Sequence, residues 1–170
     1  GYTTLESLPY SQRASLSDAT QDTLNPDGTT QRLVNDKVGY IRNSVKATVD
    51  AYDGTVDLYE FDKNDPVLKA WEGVFPDVVK PEAEISDELR EHFRYPEDMF
   101  KVQRDLLARY HVDDPNVFFN NDAFWSVPND PTGEESRQLN QPPYYVMAAD
   151  PETGKPTFQL TTSYRGLNRE

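Results

Sequence analysis

Pro96 interrupts the longest helical pattern of this 170-residue chain, so two helices must meet where one would otherwise run from Ser86 to Tyr110. Proline lacks an N–H, and its ring pushes the preceding Tyr95 out of helical geometry. The same residue opens a helix well, because its missing donor would be unpaired there anyway. Ser86 is the expected N-cap of the first helix. Asp87 and Glu88 follow it, where negative charge suits the helix dipole. Glu97 and Asp98 fill the same turn of the second helix. Met99, Val102, Leu106 and Tyr110 then recur at helical spacing and predict one apolar stripe, widened by Phe100, Gln103 and Leu107. Glu97–Lys101 and Asp105–Arg109 are i,i+4 pairs in the favoured order, worth about 0.2–0.5 kcal/mol each. His111 closes the pattern.

Other stretches are shorter. The run from Thr55 to Phe61 alternates as a strand does, with Val56, Leu58 and Glu60 on one side and Asp57, Tyr59 and Phe61 on the other. Runs from Pro143 to Ala149 and from Thr157 to Tyr164 flank a turn with Thr153-Gly154 at its tip and predict a β-hairpin. The first run is its natural sheet partner. Between Tyr40 and Gly54 two signals compete. Val45, Val49 and Tyr52 fit a helix capped by Asn43 or Ser44 and stopped by Gly54. The same residues alternate, and Asp53-Gly54 is a hairpin signal. The placing of cap and stop favours the helix. Asp65-Pro66 opens a short helix with Val67, Leu68, Trp71 and Val74 on its apolar side, and Asp114-Pro115 repeats the device. The expected fold is α+β: a small antiparallel sheet from these three runs, packed against helices that include the helix–proline–helix unit. Residues 1–31 read as an irregular arm with a short helix and an Asn25-Pro26-Asp27-Gly28 turn. Residues 32–170 read as a single domain, and residues 129–141 as a mobile surface loop.

The charge balance narrows the function. Thirty acidic and 17 basic residues give a net charge of −13. That argues against nucleic acid as a partner, since phosphate neutralisation needs a basic face, and against docking on an anionic membrane surface. The absence of cysteine excludes disulfides, thiol catalysis and thiolate metal sites. No window approaches the ~20 apolar residues of a membrane-spanning helix, so this stretch inserts into no bilayer as a helix. Starting on Gly1 and ending on Asn168-Arg169-Glu170, it reads as a fragment of a longer protein.

Candidate chemistry is sparse. His92 and His111 stand at the two ends of the helical pair, roughly 25–28 Å apart along a straight helix. They do not share a metal, and each reads as structural or superficial. Acidic clusters surround Gly54, follow the first strand at Asp62, Asn64 and Asp65, and bracket residues 113–122. Hard oxygen ligands can hold calcium, and Asp114, Asn120 and Asp122 are the candidate ligands, although no EF-hand spacing occurs. No other cofactor is expected. Thirty acids make some close carboxylate pair a matter of chance. No G-x-S-x-G and no phosphate-binding glycine loop is present. Arg94 and Tyr95 at the joint, with Arg90, Arg104 and Arg109 nearby, are candidates for an anion or partner site. The favoured reading of the arginines is internal salt bridges to Glu91, Glu97, Asp98 and Asp105. The aromatic set, including Trp71, Phe75, Phe118, Phe124 and Trp125, reads mainly as core; exposure separates core from binding platform.

Several runs carry a resemblance beyond pattern. Arg42-Asn43-Ser44-Val45-Lys46, Asp50-Ala51-Tyr52-Asp53-Gly54, Arg94-Tyr95-Pro96-Glu97-Asp98 and Tyr110-His111 closely resemble Uncharacterised Protein Family 0182 in order and approximate spacing, over about Val38 to Tyr164. The resemblance implies a large bacterial multi-pass membrane protein, common in actinobacteria, with this chain in its extracytoplasmic soluble portion. It brings no activity, substrate or catalytic residue. The expected role is recognition of an envelope component, a partner protein or another part of the same polypeptide. The alternative is an envelope-directed hydrolase working through paired carboxylates.

Overall fold

The computed structural model describes residues 1–20, 23–24, 30–31, 37–132 and 139–167. They group into two compact units, one of residues 1–15 and 36–96, the other of residues 16–35 and 97–170. The later division falls after Pro96, at the break that the sequence marks. The turn expected at residues 25–28, and residues 133–138 of the expected loop, lie outside the described residues.

The first unit is built on three small sheets. Strand β1 (Thr3–Leu5) pairs antiparallel with β6 (Tyr40–Arg42), and β2 (Ala14–Ser15) with β5 (Lys37–Val38). Strand β7 (Val45–Val49) runs antiparallel to β8 (Val56–Glu60) in the register Val45↔Glu60 to Val49↔Val56, and β9 (Val79–Lys80) lies parallel to β8 on its other side. The residues after Ser44 therefore form a hairpin, not the favoured helix. Its turn is stabilised from within. The Asp50 carboxylate accepts from the Tyr52 amide at 2.7 Å, Asp50 O accepts from Gly54 N at 2.9 Å, and Gly54 takes φ +78°. Gly54 in the left-handed region serves a helix stop and a hairpin equally, so it cannot discriminate. The β-branched Val45, Thr48 and Val49 decide for the strand. The proposed cap is also engaged elsewhere: Ser44 is fully buried and its hydroxyl donates to Asp65.

Asp65 is the junction of this unit. As N-cap of α2 (Pro66–Val74) its Oδ1 accepts from Val67 N at 2.9 Å, the cap-plus-proline device read from the sequence. Oδ1 also accepts from the Tyr40 hydroxyl at 2.6 Å, while Oδ2 accepts from the Thr3 and Ser44 hydroxyls. Two donors on each oxygen fill the carboxylate's acceptor capacity. Burial pushes the Asp65 carboxyl up, but donation from Ser44, Thr3, Tyr40 and Val67 outweighs it and holds the pKa down at about 2. The same contacts bind β1, β6, the start of β7 and α2 into one body. After a 3₁₀ turn at Glu82–Glu84 comes α3 (Asp87–Glu91), capped by the Ser86 hydroxyl, which accepts from Leu89 N at 3.1 Å.

The second unit is organised by α4 (Glu97–Tyr110), against which α1 (Leu16–Thr20) packs. The buried face of α4 carries Met99, Lys101, Val102, Arg104 and Ala108. The expected stripe is therefore rotated. Met99 and Val102 are in the core, but Leu106 and Tyr110 are 49 % and 56 % exposed, while Lys101 and Arg104 are 2 % exposed. The aliphatic stems of the two cations can pack as apolar groups. Their heads reach polar partners, although the buried Arg104 Nε makes no hydrogen bond: Lys101 Nζ lies 2.9 Å from Glu97 Oε1, and Arg104 Nη1 donates to Gln141 O at 3.2 Å. Asp105 approaches Arg104 Nε at 3.7 Å. Tyr164 donates its hydroxyl to Arg104 O at 2.9 Å.

Around α4 lie α5 (Pro115–Asn120) and three antiparallel pairs: β3 (Thr23–Leu24) with β4 (Thr30–Gln31), β10 (Trp125–Ser126) with β13 (Arg165–Gly166), and β11 (Tyr144–Ala149) with β12 (Pro156–Thr161). The β11–β12 hairpin and its turn match the sequence reading, with Gly154 at φ +67° and Asp150 collecting the amides of Glu152 and Thr153. The fold is α+β as expected, but the single expected sheet is not formed. Strand β8 pairs with β7 and β9, whereas β11 and β12 pair with each other. A hairpin to the adjacent segment closes a far shorter loop than pairing with residues near 150, and short loops cost less entropy.

Asp65→Asn should lower unfolding free energy by about 2–4 kcal/mol in urea denaturation at pH 7, because the amide removes the charge and turns one acceptor into a donor facing buried donors. The folded pKa of Asp65 lies below the ordinary 3.8. Its stabilisation is therefore fully present above about pH 4 and is lost as pH falls towards 2, on the order of 2 kcal/mol in all. That portion of the acid loss should be missing in Asp65→Asn. Gly54→Ala and Gly154→Ala should each cost about 1 kcal/mol, read by the same method.

Candidate functional site

The residues singled out in the sequence are dispersed. Asp114 caps α5, its Oδ1 accepting from Asn116 N at 2.7 Å and Val117 N at 3.3 Å. Asn120 is the exposed last residue of α5, and Asp122 is exposed in the following turn. Among the described residues no group of three His, Asp or Glu side chains is arranged to hold a metal. The other acids near turns are also spent locally. Donation from the Thr55 backbone and hydroxyl holds Asp53 below the usual carboxylate range, and the amide and hydroxyl of Thr153 do the same for Asp150. Asp57 pairs with Lys80 at 2.9 Å, and Asp62 with Arg42 at 2.8 Å. Arg94 and Tyr95 are exposed in the connector between α3 and α4, and Arg90 meets Glu82 at 3.3 Å. His92 is exposed. His111 is not superficial: its Nδ1 lies 2.8 Å from Leu107 O and its Nε2 3.0 Å from Ala123 O.

His111 leads to a concavity of the second unit. Its ring stacks on the Trp125 indole with centroids 3.5 Å apart and planes 17° apart. Tyr164 lies 5.2 Å from the same indole, tilted by 42°. Trp125 is thereby held from two directions yet stays 37 % exposed. Beside it opens a cleft of about 550 Å³, lined by Phe124, Trp125, Val127 and Leu167 together with Asp105, Arg109, Asn121 and Asn140. A second cavity of about 350 Å³ adjoins it, with Phe124, Trp125 and Leu167 common to both and with His111 and Asp122 in its lining. The elements that place these groups are distant in sequence: Asp105 and Arg109 on α4, Asn121 at the end of α5, Trp125 on β10, Leu167 just after β13. Asn121 holds φ +58°, a left-handed value that asparagine tolerates better than most residues. Sequence reading names Trp125 as mainly core, places Arg109 in an i,i+4 pair and among the arginines near the joint, and passes over Asn140. A tryptophan among turn-forming asparagines was the available signal.

The first unit offers an apolar surface. Trp71 and Phe75 stack with centroids 5.8 Å apart and planes 14° apart, at 56 % and 52 % exposure. Val74 and Val78 are exposed alongside in sequence. Only Leu68 of α2 is buried. Trp71 and Val74, expected on the packed side, thus face outward. Elsewhere in this unit burial pushes the Lys46 ammonium down. Its Nζ lies 4.5 Å from the Phe61 ring centroid and 5.5 Å from that of Phe93, a cation–π arrangement.

These features define a class: an acidic, cysteine-free α+β protein with an open aromatic-walled cleft and an exposed apolar patch. None of its described helices is long and apolar enough to cross a membrane. The chain belongs to the uncharacterised protein family UPF0182, whose pattern it matches over residues 1–170. It is 74 % identical over 171 residues to a UPF0182 protein of Corynebacterium glutamicum strain R, which covers 100 % of this chain and 17 % of that protein. Over 172 residues it is 69 % identical to a UPF0182 protein of Corynebacterium diphtheriae, again covering 100 % of this chain and 17 % of that one. Over 170 residues it is 64 % identical to a UPF0182 protein of Rhodococcus jostii strain RHA1, covering 99 % and 17 %. The chain thus spans about a sixth of the length of these relatives. No solved structure matches it.

Asp114→Ala should lower stability by about 1 kcal/mol through loss of the cap. The loss should be equal in excess calcium and in EDTA, read by thermal melting, because the Asp114 oxygen is committed to backbone amides. A calcium-dependent loss would instead make Asp114 a ligand.

Proposed function

We propose that this chain is an extracytoplasmic interaction module of a larger bacterial membrane protein, and that its apolar patch docks on the remainder of the same polypeptide. The observation that carries this reading is the exposed Trp71–Phe75 stack with Val74 and Val78 beside it. Adjoining large apolar side chains left in water mark contact surfaces more often than chance exposure does. The relatives are about six times as long as this chain, so a cognate surface within one polypeptide is available. Family resemblance supports the extracytoplasmic placement, and the negative charge is compatible with it. Two-acid hydrolysis gains no support from the clefts. The described lining of each holds one carboxylate, Asp105 or Asp122. Asp53, Asp65, Asp130 and Asp150 are each held low, whereas a general acid needs a raised pKa.

Two measurements check the reading. A single cysteine placed at the exposed Ser163 of the full-length protein should react with a membrane-impermeant maleimide on intact cells; labelling only after lysis places the domain on the other side. The Trp71→Ala/Phe75→Ala pair should change the isolated chain's stability by less than about 1 kcal/mol. It should weaken association with the remaining polypeptide, supplied in trans, by about tenfold or more. Unchanged association sinks the docking proposal.

A further inference from the structure

The geometry points to the cleft beside Trp125 as a binding site for a neutral saccharide of more than one ring. At about 550 Å³ the cleft is within the size range of small-molecule sites. Its lining combines two chemistries. Phe124 and Trp125 present apolar surface, while Arg109, Asn121 and Asn140 contribute side-chain donors and acceptors. Among the described residues none of these three side chains is engaged in a hydrogen bond or ion pair. In this they differ from the acids near turns, which are satisfied by local amides. A guanidinium offers five N–H donors, and each carboxamide both donates and accepts.

Elimination by charge and polarity then selects the ligand. An apolar ligand would cover these polar groups without pairing them, at a cost of about 1–3 kcal/mol each. An anion would meet the Arg109 charge, but Asp105 lines the same cleft and the chain carries −13 overall. A cation would face Arg109. A ring with one apolar face and a rim of hydroxyls satisfies both halves of the cleft. Its C–H face lies against the aromatic wall, and its vicinal hydroxyls exchange hydrogen bonds with amides that can donate and accept.

The second cavity, of about 350 Å³, extends the argument to chain length. Phe124, Trp125 and Leu167 line both cavities, so the two spaces adjoin at the indole. Consecutive rings of an oligosaccharide would occupy the two spaces. His111 acts as a positioning residue. Anchored at Leu107 O and Ala123 O, it stacks on the indole and fixes its orientation before any ligand arrives, so less ordering entropy is lost on binding.

The test is titration of the 170-residue chain with short neutral gluco-, manno-, galacto- and arabino-oligosaccharides, with glucuronate oligomers as the anionic arm, followed by calorimetry and the Trp125 indole NMR signal. At least one neutral series should saturate below about 10 mM, with longer members binding more tightly than the monosaccharide. Arg109→Met and Asn121→Gly should each weaken that binding by about tenfold. Both variants should melt as the parent does: among the described residues Arg109 has no partner to lose, and glycine accepts the left-handed backbone at position 121. A neutral series that binds but is indifferent to both variants lies elsewhere and overturns the assignment. Saturation by glucuronate alone, abolished by salt, would mark an anion site and overturn it too. So would failure of every neutral series to saturate.

Discussion

The buried carboxylate of Asp65 is the interaction on which the first unit depends. A charge taken out of water is costly unless its acceptor sites are filled, and here the Thr3, Ser44 and Tyr40 hydroxyls and the Val67 amide fill them. The four donors come from β1, the start of β7, β6 and α2. No pair of these elements buries much apolar surface: the buried apolar residues described in this unit are Val38, Tyr59, Leu68 and Ile85. A saturated carboxylate supplies what so small a core cannot, namely one defined arrangement of four short elements. It is also unforgiving, because removing the charge leaves several buried donors facing each other.

The second unit solves a related problem with cations. Lys101 and Arg104 occupy the packed face of α4, where their stems fill space and their heads reach Glu97 and the Gln141 carbonyl. The consequence for function is indirect. On α4 the apolar Leu106 and Tyr110 lie outward, and Trp125 on β10 remains substantially accessible. In the first unit Trp71 on α2 and Phe75 at its C-cap are accessible as well. A small domain that stabilises itself with polar junctions can leave its aromatic residues for contact with something else.

Local devices were legible in the sequence, and long-range ones were not. The caps at Ser86, Asp65 and Asp114 are set by residues within three positions and stand where the sequence puts them. The turns Asp50–Gly54 and Asp150–Gly154 are the same device: an aspartate whose carboxylate and carbonyl collect the amides two, three and four residues on. The second was read correctly, while the first lost to a helix reading because Asn43-Ser44 imitates a cap. What Ser44 does is decided by Asp65, 21 positions away. The α4 face was misread because charged residues were assigned to solvent by default. Asp65 itself was visible as a cap but not as the acceptor for Thr3. Arg94 and Tyr95, conspicuous in the words of the sequence, stand exposed in a connector. The cleft is assembled from α4, the end of α5, β10, Asn140 and the residue after β13, a set that no local pattern brings together.

The most direct test of the polar-junction account is a carbon-13 NMR titration of the Asp65 carboxyl in the folded chain. The account predicts a midpoint at about 2, as the four donors require, moving upward when Thr3→Val or Ser44→Ala removes one of them. A midpoint at the ordinary 3.8, unmoved by either substitution, would contradict it.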